Sequence, residues 1–570
     1  MAETLGKTLN RSFLPRPARA ASRMPRLAKT VVMLLLWVGV CACSRTPSAG
    51  ADGVKSAAPQ PVSGGTLTWG VETEPQTLNP HINGQDKVAL ILRNTYESLL
   101  ARDAQGGFVP WLASAYTVSD DGLTYTFALR PQVTFSDGSR FDAAVVIRNL
   151  QALQVPGYTV IGIHAFYLGL IDQLTAPDPL TLRIVLKHRY SPFLGYISSV
   201  PLLAPLAFDK PDLKAGGTDI AGTGPFVITR YQVGQQIEFE RNPNYHWAPA
   251  NAAHQGPAYL QKLIYRFLPE SSVRIGALLS GQVDVIEGVP GQDAAAIQAN
   301  PDVHYQHALN PGTPYALYFN IERAPTDDLR VRHALVEGLD ISTLVQSIWR
   351  GQRTRAWGIT SPIDPLYDAS QEQRYGNQPD AANALLDQAG WRQRDAQGFR
   401  VREGKRLSIV LLDTPALLRD QRELLLLAIQ AQARQRLGVD VQFERVDIGN
   451  YMTRVLGGDY GALANSNAVP DGRDIESHYL PLEHGGFLNF SRSQAPQLQQ
   501  WLQAAWLTGD EGERKRLYAQ LQQFVLRQQY LVLPLYQPED QIVSASRVHG
   551  VGFRPFYRLP ENAYDVWVAR

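Results

Sequence analysis

The stretch "YESLLARDAQGGFVPWLASAYTVSDDGLTYTFALRPQVTFSDGSRFDA", residues 96–143, carries the clearest local instructions in the chain. Within it, "LTYTFALR" alternates apolar and polar residues, the period of a half-buried strand. Ser136, Asp137 and Gly138 follow as a turn, because Asp bonds its own backbone and Gly tolerates positive φ. Asp142 then stands where an N-cap is needed, ahead of the helical run "AAVVIRNLQAL". Just upstream, "DKVALILRNTYESLLARD" places Val88, Leu92, Tyr96 and Leu99 on one helical stripe, which predicts a helix continuing through residue 99.

The same grammar continues in both directions. "GGTLTWGVETEPQTLNPH" (64–81) reads as a strand leaving through a Pro-punctuated turn, and "GTGPFVITRYQVGQQIEFERNPNY" (222–245) as a hairpin through Gly234. "YLQKLIYRFLPESSVRIGALLSGQVDVIEGV" (259–289) is a strand, helix, strand series. "DDLRVRHALVEGLDISTLVQSIWRG" (327–351) reads as a helix with Asp327 or Asp328 at its positive end. Residues 406–446 give another strand, long helix and strand. Such alternation predicts an α/β protein.

Composition narrows the function. A chain of 570 residues exceeds what one core can hold, so at least two domains are expected. Fifty-four basic residues against 53 acidic ones, with no long basic run, argue against nucleic acid as a partner. Both cysteines, Cys41 and Cys43, lie near the N-terminus, which leaves no pair for a structural disulfide or Cys-ligated zinc in the body. They follow "VVMLLLWVG", which is shorter than the about 20 apolar residues a membrane span requires. With Arg23, Arg26 and Lys29 ahead of it, this is the pattern of a signal peptide. Val40-Cys41-Ala42-Cys43 resembles a bacterial lipobox, so residues 1–43 are expected to be a lipoprotein signal with Cys43 acylated, its true start at Met24. The Ser-, Ala- and Pro-rich residues 44–60 then read as a tether.

Several stretches, in order, resemble family 5 of the bacterial extracellular solute-binding proteins. They are the 96–143 segment, "AGTGPFVI" (221–228), "RNPNY" (241–245), "GQVDV" (281–285), "APTDDLRVRHAL" (324–335) and "DAANALLDQAGW" (380–391). The resemblance implies a type II, cluster C, periplasmic-binding-protein-like α/β fold: two lobes around a hinged cleft, with an inserted small domain. Lobe I would comprise 61–86, 212–305 and 540–570, the inserted subdomain 87–211, and lobe II 306–539. It implies a receptor that captures a short peptide or peptide-like solute, or alternatively nickel or another metal chelate. The solute passes to an ABC permease with its ATPase subunits. Such a receptor would work in the periplasm or at the cell surface, lipid-anchored to the membrane. It would need no cofactor, any metal such as nickel arriving with the ligand.

The resemblance also implies where to look for the site. Peptide-binding members hold the ligand's α-amino group with an Asp in the region of Asn465, Ser466 and Asn467. Here Asp471 or Asp474 follows instead, or the ligand lacks a free amine. His81 falls at the cleft edge, or is a plain turn residue. His164, in "GIHAFYLGL", is a ligand contact or a packing residue, and the Arg that holds a chelator there is not evident. His478 and His484 fall where nickel-type members present a metal-contacting His, though surface positions are the default. Arg355 and Arg473 are candidate carboxylate anchors, since Arg offers a planar fork. An enzyme is not expected: there is no G-x-S-x-G, H-E-x-x-H, Walker A or dinucleotide fingerprint. A secreted hydrolase with a scattered triad is the rival reading.

Overall fold

A computed structural model describes residues 59–82, 86–159, 163–469, 472–554, 556 and 560–569. The expected signal segment, Cys43, the expected tether through residue 58, and Asp471 lie outside the described residues.

Strand Thr66–Val71, from the opening motif, runs parallel to both its neighbours, Lys262–Phe267 and Val285–Glu287. Its Leu67 and Trp69 are completely buried. Beyond Lys262–Phe267 the sheet continues antiparallel into the Gln236–Arg241 and Phe226–Gln232 hairpin, turned by Gly234 at φ +72°. On the other side Glu539–Ala545 and Val303–Leu309 complete seven strands. One sheet thus draws on three widely separated stretches of chain.

A second sheet of six strands is built around Thr313–Phe319, flanked by Val532–Gln537 and Ala462–Asn467, both antiparallel to it. Ser408–Asp413 and Asp440–Arg445 extend it in parallel. A third, antiparallel sheet of four strands holds Ala113–Val118, Thr124–Leu129, Thr181–Leu186 and Ile171–Asp178. Beside it, helix Ala143–Leu153 begins where its N-cap predicts, with Asp142 accepting from the Val145 amide at 2.9 Å.

Two expected helices are shorter than the periodicity suggests. The first stops at Leu92, because the Asn94 side chain turns back to donate to the Leu90 and Ile91 carbonyls, both at 3.1 Å. Tyr96 and Leu99 lie beyond it. The run 327–351 forms two helices, Leu329–Gly338 and Ile341–Trp349. Asp328 caps the first and Asp340 the second, and Leu339 between them is extended. A second N-cap inside a continuous apolar pattern outcompetes the uninterrupted helix.

The chain passes between the two large sheets at Asn310–Gly312 and again at Pro538. These crossovers lie side by side. The Asn310 amide donates to the Pro538 carbonyl at 3.0 Å, and the Gln537 side chain donates to the Asn310 carbonyl at 2.9 Å. Gly312 has φ +80°, and a Cβ there would lie 2.4 Å from the Asn467 carbonyl and 2.7 Å from the Val469 nitrogen. Only glycine lets the crossover approach that loop so closely. Gly312→Ala is therefore expected to cost about 1–3 kcal/mol, seen as a lower midpoint in urea unfolding. An unchanged midpoint would show that the crossover tolerates a side chain.

Candidate functional site

A cavity of about 350 Å³ opens where lining residues among 467–469, 473–477 and 487, at and beyond the end of strand Ala462–Asn467, face others among 80–111 and 164–201. Its floor is aromatic: Tyr167 and Tyr196 stack with ring centroids 4.4 Å apart, and Tyr96 and Trp111 also line it. Its charge is carried by four arginines, Arg93, Arg102, Arg473 and Arg554.

Each arginine is placed by a different element. Arg93 follows helix Asp86–Leu92 and donates to the Pro560 carbonyl at 3.0 Å. Arg102 ends strand Leu100–Arg102, lies 3.9 Å from the Phe108 ring centre and donates to Gly106 at 2.7 Å. Arg473 opens helix Arg473–Tyr479 after Gly472, whose φ of +82° makes the sharp entry. Arg554 comes from the C-terminal stretch, 3.9 Å from Glu561.

Among the described lining residues, Asp474 is the one carboxylate. It is 2% exposed, and one of its oxygens accepts the Thr313 amide at 2.5 Å. Burial pushes its pKa up to about 8, so at neutral pH it is largely protonated. Four guanidinium groups line the cavity beside a largely neutral acid, and guanidinium forks are donors that suit carboxylates. His164 is on the wall too, with Nδ1 2.8 Å from the Tyr196 hydroxyl. Burial lowers its pKa to about 4, so it is a neutral imidazole.

Of the residues singled out from the sequence, His164, Asn467, Arg473 and Asp474 come together around this cavity. The others lie elsewhere. His81 sits behind the wall, bonded to the Tyr158 hydroxyl at 3.2 Å and the Pro201 carbonyl at 2.8 Å, and burial lowers its pKa to about 3. Arg355 is tied to the Pro534 and Leu535 carbonyls at 2.5 and 3.1 Å and lies over Trp357. Ser466 accepts from Arg422 at 2.6 Å, and Asn465 pairs with Ala316 within the sheet.

His478 is fully buried, bonded to the Asp474 carbonyl at 2.7 Å and stacked on Tyr318. His484 is exposed in the short turn Leu482–His484, so the two histidines do not form a pair. Among the described residues no group of three or more His, Cys, Asp or Glu could hold a metal ion. Arg93, Arg102 and Arg554 escaped the sequence reading altogether.

The model of the bacterial extracellular solute-binding proteins, family 5, matches residues 107–486. The chain belongs to this family. It is 28% identical over 517 residues to the nickel-binding periplasmic protein of Escherichia coli K12, spanning 88% of this chain and 94% of that protein. It is 27% identical over 317 residues to a glutathione-binding protein GsiB of Escherichia coli, spanning 55% of this chain and 59% of that protein.

Among solved structures, the oligopeptide-binding protein AppA from Bacillus subtilis, in complex with a nonapeptide, superposes with TM-score 0.77 at 20% identity, over 90% of this chain and 100% of that one. NikA from Brucella suis in complex with Fe(III)-EDTA gives 0.72 at 24%, over 87% and 100%. The fold is that of the type II periplasmic binding proteins, and the family's role is that of solute receptor to an ABC importer. Among the described residues no helix is long and apolar enough to cross a membrane.

The acid on the wall gives a pH test. An unfolded Asp ionises near 3.9, whereas Asp474 holds its proton to about 8. Between those values the folded state binds the extra proton, so its stability falls as pH rises from about 4 to 8. Asp474→Asn removes that slope. The melting temperature of the variant minus that of the unmodified protein should increase steadily from pH 5 to pH 8. A constant difference would mean that Asp474 is already ionised.

Proposed function

We propose that this receptor captures a small solute bearing carboxylates, a short acidic peptide or peptide-like molecule being the leading class, and delivers it unchanged to an ABC permease and its ATPase. The observation that carries this reading is the convergence of Arg93, Arg102, Arg473 and Arg554 on a cavity whose lining acid is held protonated. The volume, about 350 Å³, is at the small end of the roughly 300–1,000 Å³ of small-molecule sites, which suits a solute of a few residues. Similarity to a glutathione-binding protein, whose named ligand is a small peptide with two carboxylates, supports the same class. The two halves close on the solute about the paired crossovers, with the domain limits 61–86, 212–305 and 540–570 for lobe I, 87–211 for the insert and 306–539 for lobe II.

A metal chelate is the second reading, supported by the likeness to a nickel-binding protein. Chelator carboxylates would lie against the arginines, and His164 offers a neutral imidazole, the form that ligates metal. The protein itself would supply no cofactor and no catalysis. Cys43 would anchor it by lipid at the bacterial membrane, keeping it beside its transporter.

Calorimetry separates these readings. Acidic di- and tripeptides should bind one to one without turnover, and Arg473→Ala should weaken them by about 10- to 100-fold, the loss of a charge-assisted bond. Nickel chelates of EDTA type, titrated with and without the metal, test the alternative: affinity that vanishes without nickel would favour it. Equal affinity for neutral and acidic peptides would refute the electrostatic reading. The anchor has its own check, since Cys43→Ser should move the protein from the membrane to the soluble envelope fraction, and unchanged membrane retention would refute it.

A further inference from the structure

Behind the cavity, the helix that presents Arg473 and Asp474 carries a second acid, Glu476, which is 1% exposed. Its carboxylate accepts from the Trp506 indole N–H at 2.7 Å and from the Tyr518 hydroxyl at 3.3 Å, both on helices of its own side. It also accepts a short hydrogen bond from the Tyr190 hydroxyl. Tyr190 belongs to the opposite side of the cleft, between strand Thr181–Leu186 of the four-stranded sheet and helix Phe193–Ile197, which carries the cavity residue Tyr196.

The surroundings of this bond are tight. Tyr190 packs edge-on against Trp506 with centroids 5.3 Å apart. Nearby, a Cβ on Gly485 would fall 2.7 Å from the Phe166 ring, so the two sides approach closely here as well. A buried carboxylate satisfied partly from across the cleft loses one of its donors when the two sides part, which costs free energy.

We propose that Glu476 and Tyr190 form the latch that holds the cleft closed, and that Glu476 is the positioning residue which sets Arg473 against the solute. This rests on the reading of the cavity as a solute site, but it concerns a pair that lies behind the cavity and forms no part of its wall. Separation of the walls breaks one bond of a buried anion. The helix bearing Arg473 is then released from the wall that faces it.

Two isosteric variants test this, Tyr190→Phe and Glu476→Gln, with stopped-flow binding of an acidic tripeptide. Each should speed dissociation about tenfold and leave association unchanged, and the double variant should dissociate no faster than either single one. A purely structural role would lower the melting temperature without splitting the two rates. In parallel, small-angle scattering of the peptide-free protein should show a larger radius of gyration for Tyr190→Phe than for the unmodified chain. Unchanged dissociation in both single variants, or effects that multiply in the double, would overturn the latch. If no acidic peptide binds, the solute class is wrong, and scattering then decides alone: an equal radius of gyration overturns the latch.

Discussion

Side by side, Asn310–Gly312 and Pro538 carry the chain between its two large sheets, bonded to each other through the Asn310 amide and carbonyl. Everything else depends on that pairing. Two short adjacent connections leave one easy motion, a rotation that opens or shuts the space between the sheets, and they resist sliding or twisting. The same place fixes the site. Gly312 lets the first crossover press against residues 467–469, and the Thr313 amide, one residue on, holds the Asp474 carboxyl. The crossover thus touches residues that line one wall of the cavity.

Closure gives the charges their value. In open water an arginine and a carboxylate attract weakly, whereas in a small, partly dry cavity the same pair is much stronger. Tyrosines line the floor and the arginines come from elements on both sides, so under the proposed reading a bound anion would be gripped from both. Burial of Asp474 has a matching effect. By keeping its proton, it avoids opposing the arginines with a negative charge of its own.

Much of the fold could be read from the sequence because its signals are local. The turn at Ser136–Gly138 and the cap at Asp142 form as read, with the Asp137 side chain accepting from the Ser139 amide at 2.9 Å. Each needs only residues within a few positions. The errors also have local causes: Asn94 and Asp340 end or restart helices that apolar periodicity alone would continue. The cavity was half legible. Asn467, Arg473 and Asp474 lie in one short motif, so they were found together. Arg93 and Arg102 lie nine positions apart in stretches whose signals concern helix and strand, and Arg554 is separated from both by most of the chain. Their convergence is a product of topology, in particular of the return of the C-terminal stretch, and no spacing in the sequence announces it. Conversely, His478 and Arg355 have suitable chemistry but spend it on packing and backbone carbonyls.

The central claim is that two halves close about paired crossovers on a carboxylate-bearing solute. The most direct measurement is the distance between two spin labels, one at the exposed position Val233 on the first sheet's hairpin and one at the exposed Leu424 on the second half, in a chain whose native cysteines are replaced. With an acidic tripeptide present, a single short, narrow distance should replace a longer and broader one. The same distance distribution with and without the peptide, despite measurable binding, would contradict the account.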